Sequence, residues 1–570
     1  MPATLTWLTV LMVVGMALHT RVAGAAPAGA GAAPAAVAAS FIAEHEARIR
    51  PLEIAVNLAW WKANTTGDDA DFAAKQRAQD ELDAALADPE RFAALEALRH
   101  EAIADPLLAR QVQILYLTYL EKQAPAALLQ KITARSNAIE KAFNVFRARV
   151  DGRELTDSEV KKVLTSSSNA SEREAVWRAS KNVGPAVADH LKELVLLRNE
   201  VATRVGYKNY HVMQLALNEQ DQARVIALFD ELDALTRAPF EAAKQEIDAR
   251  LAQQFRIPVA DLRPWHYHDP FFQEAPAVFG TSLDEVFQSV DVPRLCRDFY
   301  AGIGLPVDDV LASSDLYERS GKSPHAFCTD IDRNGDVRVL ANIVPNEQWT
   351  GTMLHELGHA VYSSKNIPPS MPYLLRSDAH ILCTEGVAMM FERFSKSGDW
   401  LVAMGVHVPD VAAYNAAAAR LRRDQLLIFS RWCQVMLRFE KALYENPNQD
   451  LNDLWWDLVE QYQGLRRPAR RDAPDYASKI HVVSAPAYYH NYMLGQLFAC
   501  QVHRTIAREV LGAEDAASAY YSRNPAVGKF MTERVFAPGR SMPWDELTRH
   551  ATGEALNAEA FAAEFRAAGE

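Results

Sequence analysis

Cysteine is scarce in this chain: Cys296, Cys328, Cys383, Cys433 and Cys500 are its whole complement. None falls in a CxxC pair, which excludes a cysteine-rich zinc cluster or a dithiol redox centre. Five is an odd number; an exported protein could form a disulfide or two, but no pairing can be deduced from the spacing and a core of this size does not need them. Positive charge is not in excess either. The net charge is −13 and the pI about 5.7, which argues against a nucleic-acid partner, because such proteins carry a basic face. The run from Arg466 to Arg471 reads as a solvated loop or helix end. Beyond the amino terminus no apolar stretch approaches the roughly 20 residues a membrane span needs. Glycine is sparse and strand-like runs are few.

What is present begins with an apolar run, Leu5 to Leu18, too short for a comfortable span, followed by the small residues Ala23-Gly24-Ala25. That pattern predicts a cleaved signal peptide over residues 1–25, although no Lys or Arg precedes the run. Residues 26–40 follow as an Ala/Pro/Gly-rich leader, and 41–570 as one domain. The mature protein is expected to be secreted or periplasmic, with no stable membrane insertion. From Ser40 onward, Ala, Leu, Glu, Lys and Arg recur with helical periodicity, for example over Asp189 to Val205, Asp221 to Gln254 and Ala412 to Tyr444. One hairpin is predicted, His325 to Ile331 with Val337 to Val344, turning through Asn334-Gly335. Everything else reads as helix. The expected architecture is a mainly α body of two lobes around a deep cleft, with a small β-hairpin lining it.

The chemistry concentrates in His355-Glu356-Leu357-Gly358-His359. Trp349 to Tyr362 should be helical, which puts the two histidines one turn apart on one face. Two imidazoles at that spacing can share one tetrahedral zinc. Glu356 is offset by one residue, beside the metal, where it can take a proton from the zinc-bound water. The flanking residues Met353, Leu354, Ala360 and Val361 are apolar, so this is a buried helix, and buried polar groups need partners. A catalytic site also needs a third protein ligand. Glu385 lies 26 residues after His359, in the middle of a second helix expected over about Ala379 to Phe394, after a proline-containing loop that breaks the first. Glu392, two turns further on beside Arg393, reads as a surface ion pair, and a ligand role for Cys383 fits less well than Glu385.

With this constellation in place, the chain resembles the zinc metallopeptidases of the angiotensin-converting enzyme family. The resemblance rests on the HExxH helix with Glu385 on the next helix, and on four further stretches: Arg198-Asn199-Glu200 with Arg204 and Gly206-Tyr207; His325-Ala326 with Asp330 and Arg338; Lys479-Ile480-His481-Val482 with Pro486 and Tyr489-His490-Asn491-Tyr492; and Gly539 to Leu547 with Thr552-Gly553. These span roughly residues 190 to 560.

The resemblance implies roles. His355, His359 and Glu385 would hold one zinc ion, with Glu356 as base. His481 and Tyr492 would stabilise the tetrahedral oxyanion, where each fixed donor is worth about 10² to 10³ in rate. Lys479 and Tyr489 would hold the substrate's C-terminal carboxylate, with Tyr488 a competitor because the interval from His481 is one residue longer than the family's. His325 and Ala326 would pair with the substrate backbone. Three family features are missing. Asn491 stands where an arginine contributes to chloride binding, so chloride is not implied. Met389 replaces an aspartate that supports a zinc histidine. A glutamine of the carboxylate site has no match, the nearest segment being Pro264 to His268. The expected partners are short peptides, with release of C-terminal dipeptides. An oligopeptidase or carboxypeptidase similar to thimet oligopeptidase is the nearer alternative. An inactive peptide-binding scaffold is the remote one, disfavoured because binding alone would not need Glu356. The sequence leaves the oligomeric state open.

Overall fold

The computed structural model describes residues 33–279 and 282–565; the expected signal peptide lies outside them. The architecture is mainly α, as the periodicity implied. The helices expected from Asp189, Asp221 and Ala412 run over Val183–Arg204, Gln222–Phe255 and Val411–Glu445. Their starts follow local chemistry: Asp221 and Asp410 each accept from a backbone N–H of the first turn, which satisfies a donor with no intrahelical partner. The first helix, Pro34–Thr66, begins inside the stretch assigned to the leader, and Ala38 on it is fully buried. Alanine is the best helix former, so the Ala-rich run extends the helix rather than a flexible tail. No helix among the described residues is long and apolar enough to cross a membrane.

Among the described residues, two small hairpins interrupt the helices. The expected one is shorter than the sequence suggested: Phe327–Asp330 pairs antiparallel with Val337–Leu340, in the register Phe327 to Leu340 and Asp330 to Val337. The other, Ala148–Val150 with Arg153–Leu155, was not anticipated. Its signal is Asp151-Gly152, both with positive φ, the conformation that tight hairpin turns require.

Three helices frame the centre of the molecule. Glu347–Val361 carries the HExxH motif, Ile381–Glu392 carries Glu385, and His490–Ile506 carries Asn491 and Tyr492. Glycine lets them approach. A Cβ on Gly358 would stand 2.7 Å from the Cα of Ala388, and one on Gly386 would stand 2.7 Å from the Gly495 carbonyl oxygen. The HExxH helix starts at Asn346, whose Oδ1 accepts from the Trp349 N–H at 2.7 Å. The loop after it is pinned by Asp330 at the end of the hairpin strand, which accepts from the Ser364 N–H at 2.9 Å.

Candidate active site

The two motif histidines turn their Nε2 atoms towards each other, 3.1 Å apart, and Glu385 Oε2 lies 3.6 Å from His355 Nε2. All three side chains have a ligand atom within a sphere small enough for one ion. The outer nitrogens explain the orientation. His355 Nδ1 lies 2.9 Å from Glu392 Oε2, and His359 Nδ1 lies 2.8 Å from Thr384 Oγ1. Those acceptors place the ring protons on Nδ1, so two Nε2 lone pairs face one another. Bare lone pairs in that arrangement repel, and Glu385 Oε1 is buried with no hydrogen-bond partner. A cation resolves both. Tetrahedral zinc with bonds of about 2.0–2.1 Å separates its ligand atoms by about 3.3 Å, close to what is seen. The donor set fits the ion.

The reading of Glu392 as a surface ion pair with Arg393 is corrected. Arg393 pairs with Glu564 at 3.1 Å, while Glu392 serves His355. It takes up the supporting role left open by Met389, and the signal was its spacing: seven residues after Glu385 is two helical turns, hence the same face.

Glu356 is 2% exposed. Burial, with Glu385 and Glu392 nearby, pushes its carboxyl up to about 7 against the pull of His355. A divalent cation beside it lowers that value and leaves the carboxylate ionised at neutral pH, ready to accept a proton.

Lys479 is not a solvated surface lysine. It is 6% exposed, and its ammonium sits among the rings of Phe271, Trp432 and Tyr489. Its Nζ donates to Gln273 Oε1 at 2.7 Å, and the Tyr489 hydroxyl reaches the same oxygen at 3.4 Å. Burial pulls Lys479 down to about 8, opposed by Asp269 and Glu274. Gln273 was missed. It lies in irregular chain shaped by Asp269, whose carboxylate accepts from the N–H groups of Phe271 and Gln273, and no local pattern marks it. Of the competing tyrosines, Tyr489 joins the lysine. Tyr488 has a buried, unpartnered hydroxyl, packs edge-on against Tyr492 and lies near Glu385.

Tyr492 also lies near Glu385. His481 packs edge-on against Tyr489 with ring centroids 5.3 Å apart; burial and then Lys479 drive its pKa down to about 3, so it is neutral and able to donate. His325 is exposed and Ala326 half-buried, just ahead of the hairpin strand. The strand reaches the centre one step later, where the Cys328 backbone N–H faces the Glu356 carboxylate. Asn491 is engaged internally: its Oδ1 accepts from Gln220 Nε2 at 2.7 Å, and Gln220 Oε1 pairs with His490 Nε2 at 2.8 Å.

The family model described as angiotensin-converting enzyme matches residues 33–237 and 284–568. Among curated proteins, the angiotensin-converting enzyme of Theromyzon tessulatum is 20% identical over 447 residues, which cover 72% of this chain and 71% of that protein. That of Mesocricetus auratus is 23% identical over 294 residues, 49% of this chain. A stretch of 235 residues, 38% of this chain, is 30% identical to the angiotensin-converting enzyme-like protein Ace3 of Mus musculus and covers 30% of it. The match to the hamster enzyme spans 22% of that protein's length.

Proposed function

The chain belongs to the angiotensin-converting enzyme family of zinc metallopeptidases, and on that premise we propose that it hydrolyses short peptides and releases their C-terminal dipeptides. The observation that carries the finer reading is the buried ammonium of Lys479. Among the described residues no carboxylate is bonded to it, and Tyr489 and Gln273 converge with it on one point. A terminal carboxylate takes the place of the Gln273 carbonyl there and accepts from both donors, at the strength of charge-assisted hydrogen bonds.

Zinc, when held by His355, His359 and Glu385, supplies a Lewis acid and lowers the pKa of water to about 7. The rest is done by side chains of this chain. Glu356 accepts the proton of the attacking water and returns it to the leaving amine. Tyr492 and His481 donate to the oxygen of the scissile carbonyl as it gains charge. The lysine site sets the distance between that bond and the carboxyl end. The proposed setting is outside the cytoplasm, secreted or periplasmic, and rests on the amino-terminal apolar run. A role for chloride is not part of the proposal.

Two measurements test it. Glu356→Gln should keep its zinc and lose turnover by about 10² or more; parent-like activity in that variant refutes the mechanism. Mass spectrometry of products from a mixed peptide pool should find dipeptides, and C-terminal amidation should suppress cleavage. Efficient cleavage of amidated peptides would favour the internal cutting of an oligopeptidase instead.

A further inference from the structure

A polar cavity lies at the amino-terminal end of the helix that carries Glu385. It has a volume of about 190 Å³, and Asn218, Glu219, Ser377, Asp378, His380 and Arg540 are among the residues lining it. Residues 377–380 lead directly into the helix of Glu385, and Ala379 among them donates its N–H to the Tyr362 hydroxyl at 3.1 Å, just past the end of the HExxH helix. His380 is the cap of that helix: its Nδ1 accepts from the Leu382 N–H at 3.0 Å.

The polar groups of the cavity divide into spent and unspent. Glu219 is spent, because its carboxylate is held bidentate by Arg110, and its carbonyl takes the indole N–H of Trp544 at 3.1 Å. Arg110 in turn donates through Nε to the Arg540 carbonyl at 3.0 Å. His380 is unspent. It is 8% exposed, its proton must sit on Nε2 because Nδ1 accepts, and Nε2 faces the Asn218 backbone with no hydrogen bond of good geometry. The Asp378 carboxylate is engaged only by its own backbone N–H, and the Arg540 guanidinium faces Asp378 and Glu219 without bonding to either. The Arg540 guanidinium and the Asp378 carboxyl, which burial pushes above the usual carboxylate range, therefore stand at this cavity unbonded to another side chain among the described residues.

Such a cavity selects by exclusion. A simple anion meets Asp378, and a simple cation meets Arg540. A ligand carrying an ammonium group next to a carbonyl satisfies both. The position fits a peptide threaded through the site. Consecutive tyrosines divide between two ends of it: Tyr489 bonds Gln273 beside Lys479, while Tyr488 packs edge-on against Tyr492 and lies near Glu385 and Asp378. Asp378 also faces Asp330 of the hairpin strand. A chain whose carboxyl end lies at Lys479 thus has its amino end directed here.

We infer that this cavity binds the free amino terminus of a short peptide substrate, with the ammonium on Asp378 and the first carbonyl on Arg540 and His380. The inference rests on the peptidase reading and narrows its substrate class: the enzyme holds both ends, and prefers unblocked peptides short enough to span the two sites.

The test is binding rather than turnover. Zinc-loaded Glu356→Gln is titrated in a calorimeter with peptides from tripeptide to hexapeptide, each with a free carboxyl end and with either a free or an acetylated amino end. At the length that spans both sites, acetylation should weaken binding about tenfold or more, as expected for loss of a charge-assisted hydrogen bond. Adding Asp378→Asn should bring the ratio of the two affinities close to one. Adding Arg540→Met should raise the ratio instead, because the guanidinium repels an ammonium; this second variant keeps the test decisive should Asp378→Asn fold poorly. A ratio near one at every length, or a ratio that neither variant moves, overturns the inference. Failure of every peptide to bind overturns the peptidase reading itself.

Discussion

Glu392 is the residue whose role changed most between sequence and structure, and its removal gives a graded prediction. Its Oε2 accepts from His355 Nδ1 at 2.9 Å, which fixes the tautomer that leaves Nε2 free for the metal. A hydrogen bond between imidazole and carboxylate is worth about 1.5–3 kcal/mol, and losing such an outer partner weakens metal binding about 10- to 100-fold. The Glu392 side chain is 39% exposed, so water can replace it and the lower end applies: about tenfold for Glu392→Ala. Glu392→Gln keeps an acceptor but loses the charge, and a two- to fourfold loss, roughly, is expected. Thr384, the partner of His359, is 8% exposed. Thr384→Val leaves the His359 N–H buried and unpaired, with no water to take over, so its cost should match or exceed that of Glu392→Ala although a neutral hydroxyl is the weaker partner. The neighbouring Lys396 is bonded to Glu347 at 2.8 Å rather than to Glu392, so the surrounding frame survives removal of Glu392. Zinc affinity is read by competition with a chromogenic chelator, and kcat/KM at saturating zinc separates affinity from chemistry. Parent-like zinc affinity, within twofold, for both Glu392→Ala and Thr384→Val would refute the argument that these contacts orient the ligands.

Other consequences can be read as directly. Lys479 is pulled down to about 8 by burial, so KM for peptides with a free carboxyl end should rise as pH passes 8, and lose that dependence in Lys479→Met; a flat KM from pH 7 to 9.5 would contradict the carboxylate role. His45, His211, His266, His268, His380 and His481 are all lowered to about 3 or 4, burial being the first cause in each. A lowered histidine keeps its full contribution above the unfolded value of about 6.5 and loses about 1.4 kcal/mol per pH unit below it. The melting temperature of both zinc-loaded and zinc-free protein should therefore fall steeply from pH 6 to 4.5, and a level profile would sink the account. Gly358→Ala forces a Cβ against the Ala388 backbone, at an overpacking cost of about 1–3 kcal/mol that should outweigh the roughly 1 kcal/mol gained in helix propensity. Denaturant unfolding reads the net sign, and a stabilised variant would show that the helices can part.

The candidate metal ligands were legible because helical geometry makes local spacing into a site: two histidines four positions apart, then a carboxylate on the next helix. The same rule, applied once more from Glu385, reaches Glu392; the ion-pair reading failed because it weighed the neighbouring Arg393 rather than the helical face. Gln273 was not legible. It lies 206 residues before Lys479 and meets it only through tertiary packing, in a segment without periodicity. The pair Asp378 and Arg540 was hidden for the same reason. The hairpin was recognisable from Asn334-Gly335, yet its ends were overestimated, because residues such as His325 continue the apolar–polar pattern without finding ladder partners.

The stretch Arg198-Asn199-Glu200 shows how a recognised motif can name a family long before its physical work is visible. Glu200 is at the surface, paired with Arg204. Arg198 is buried, and donates to the Tyr444 hydroxyl at 3.1 Å and to the carbonyls of Val482 and Val483 at 3.3 and 2.6 Å. Those carbonyls belong to the four-residue helix His481–Ser484, too short to satisfy them itself. From the other side, Glu440 accepts the Ala487 N–H at 3.0 Å, at a residue held with φ of 54°. The segment between His481 and the paired tyrosines is thus gripped by a guanidinium on its acceptors and a carboxylate on a donor. A left-handed residue shortens the path of the chain, so the turn at Ala487 brings Tyr488 and Tyr489 back close to His481. That is why Tyr489, despite the longer spacing, still arrives beside Lys479 while Tyr488 lies near Glu385.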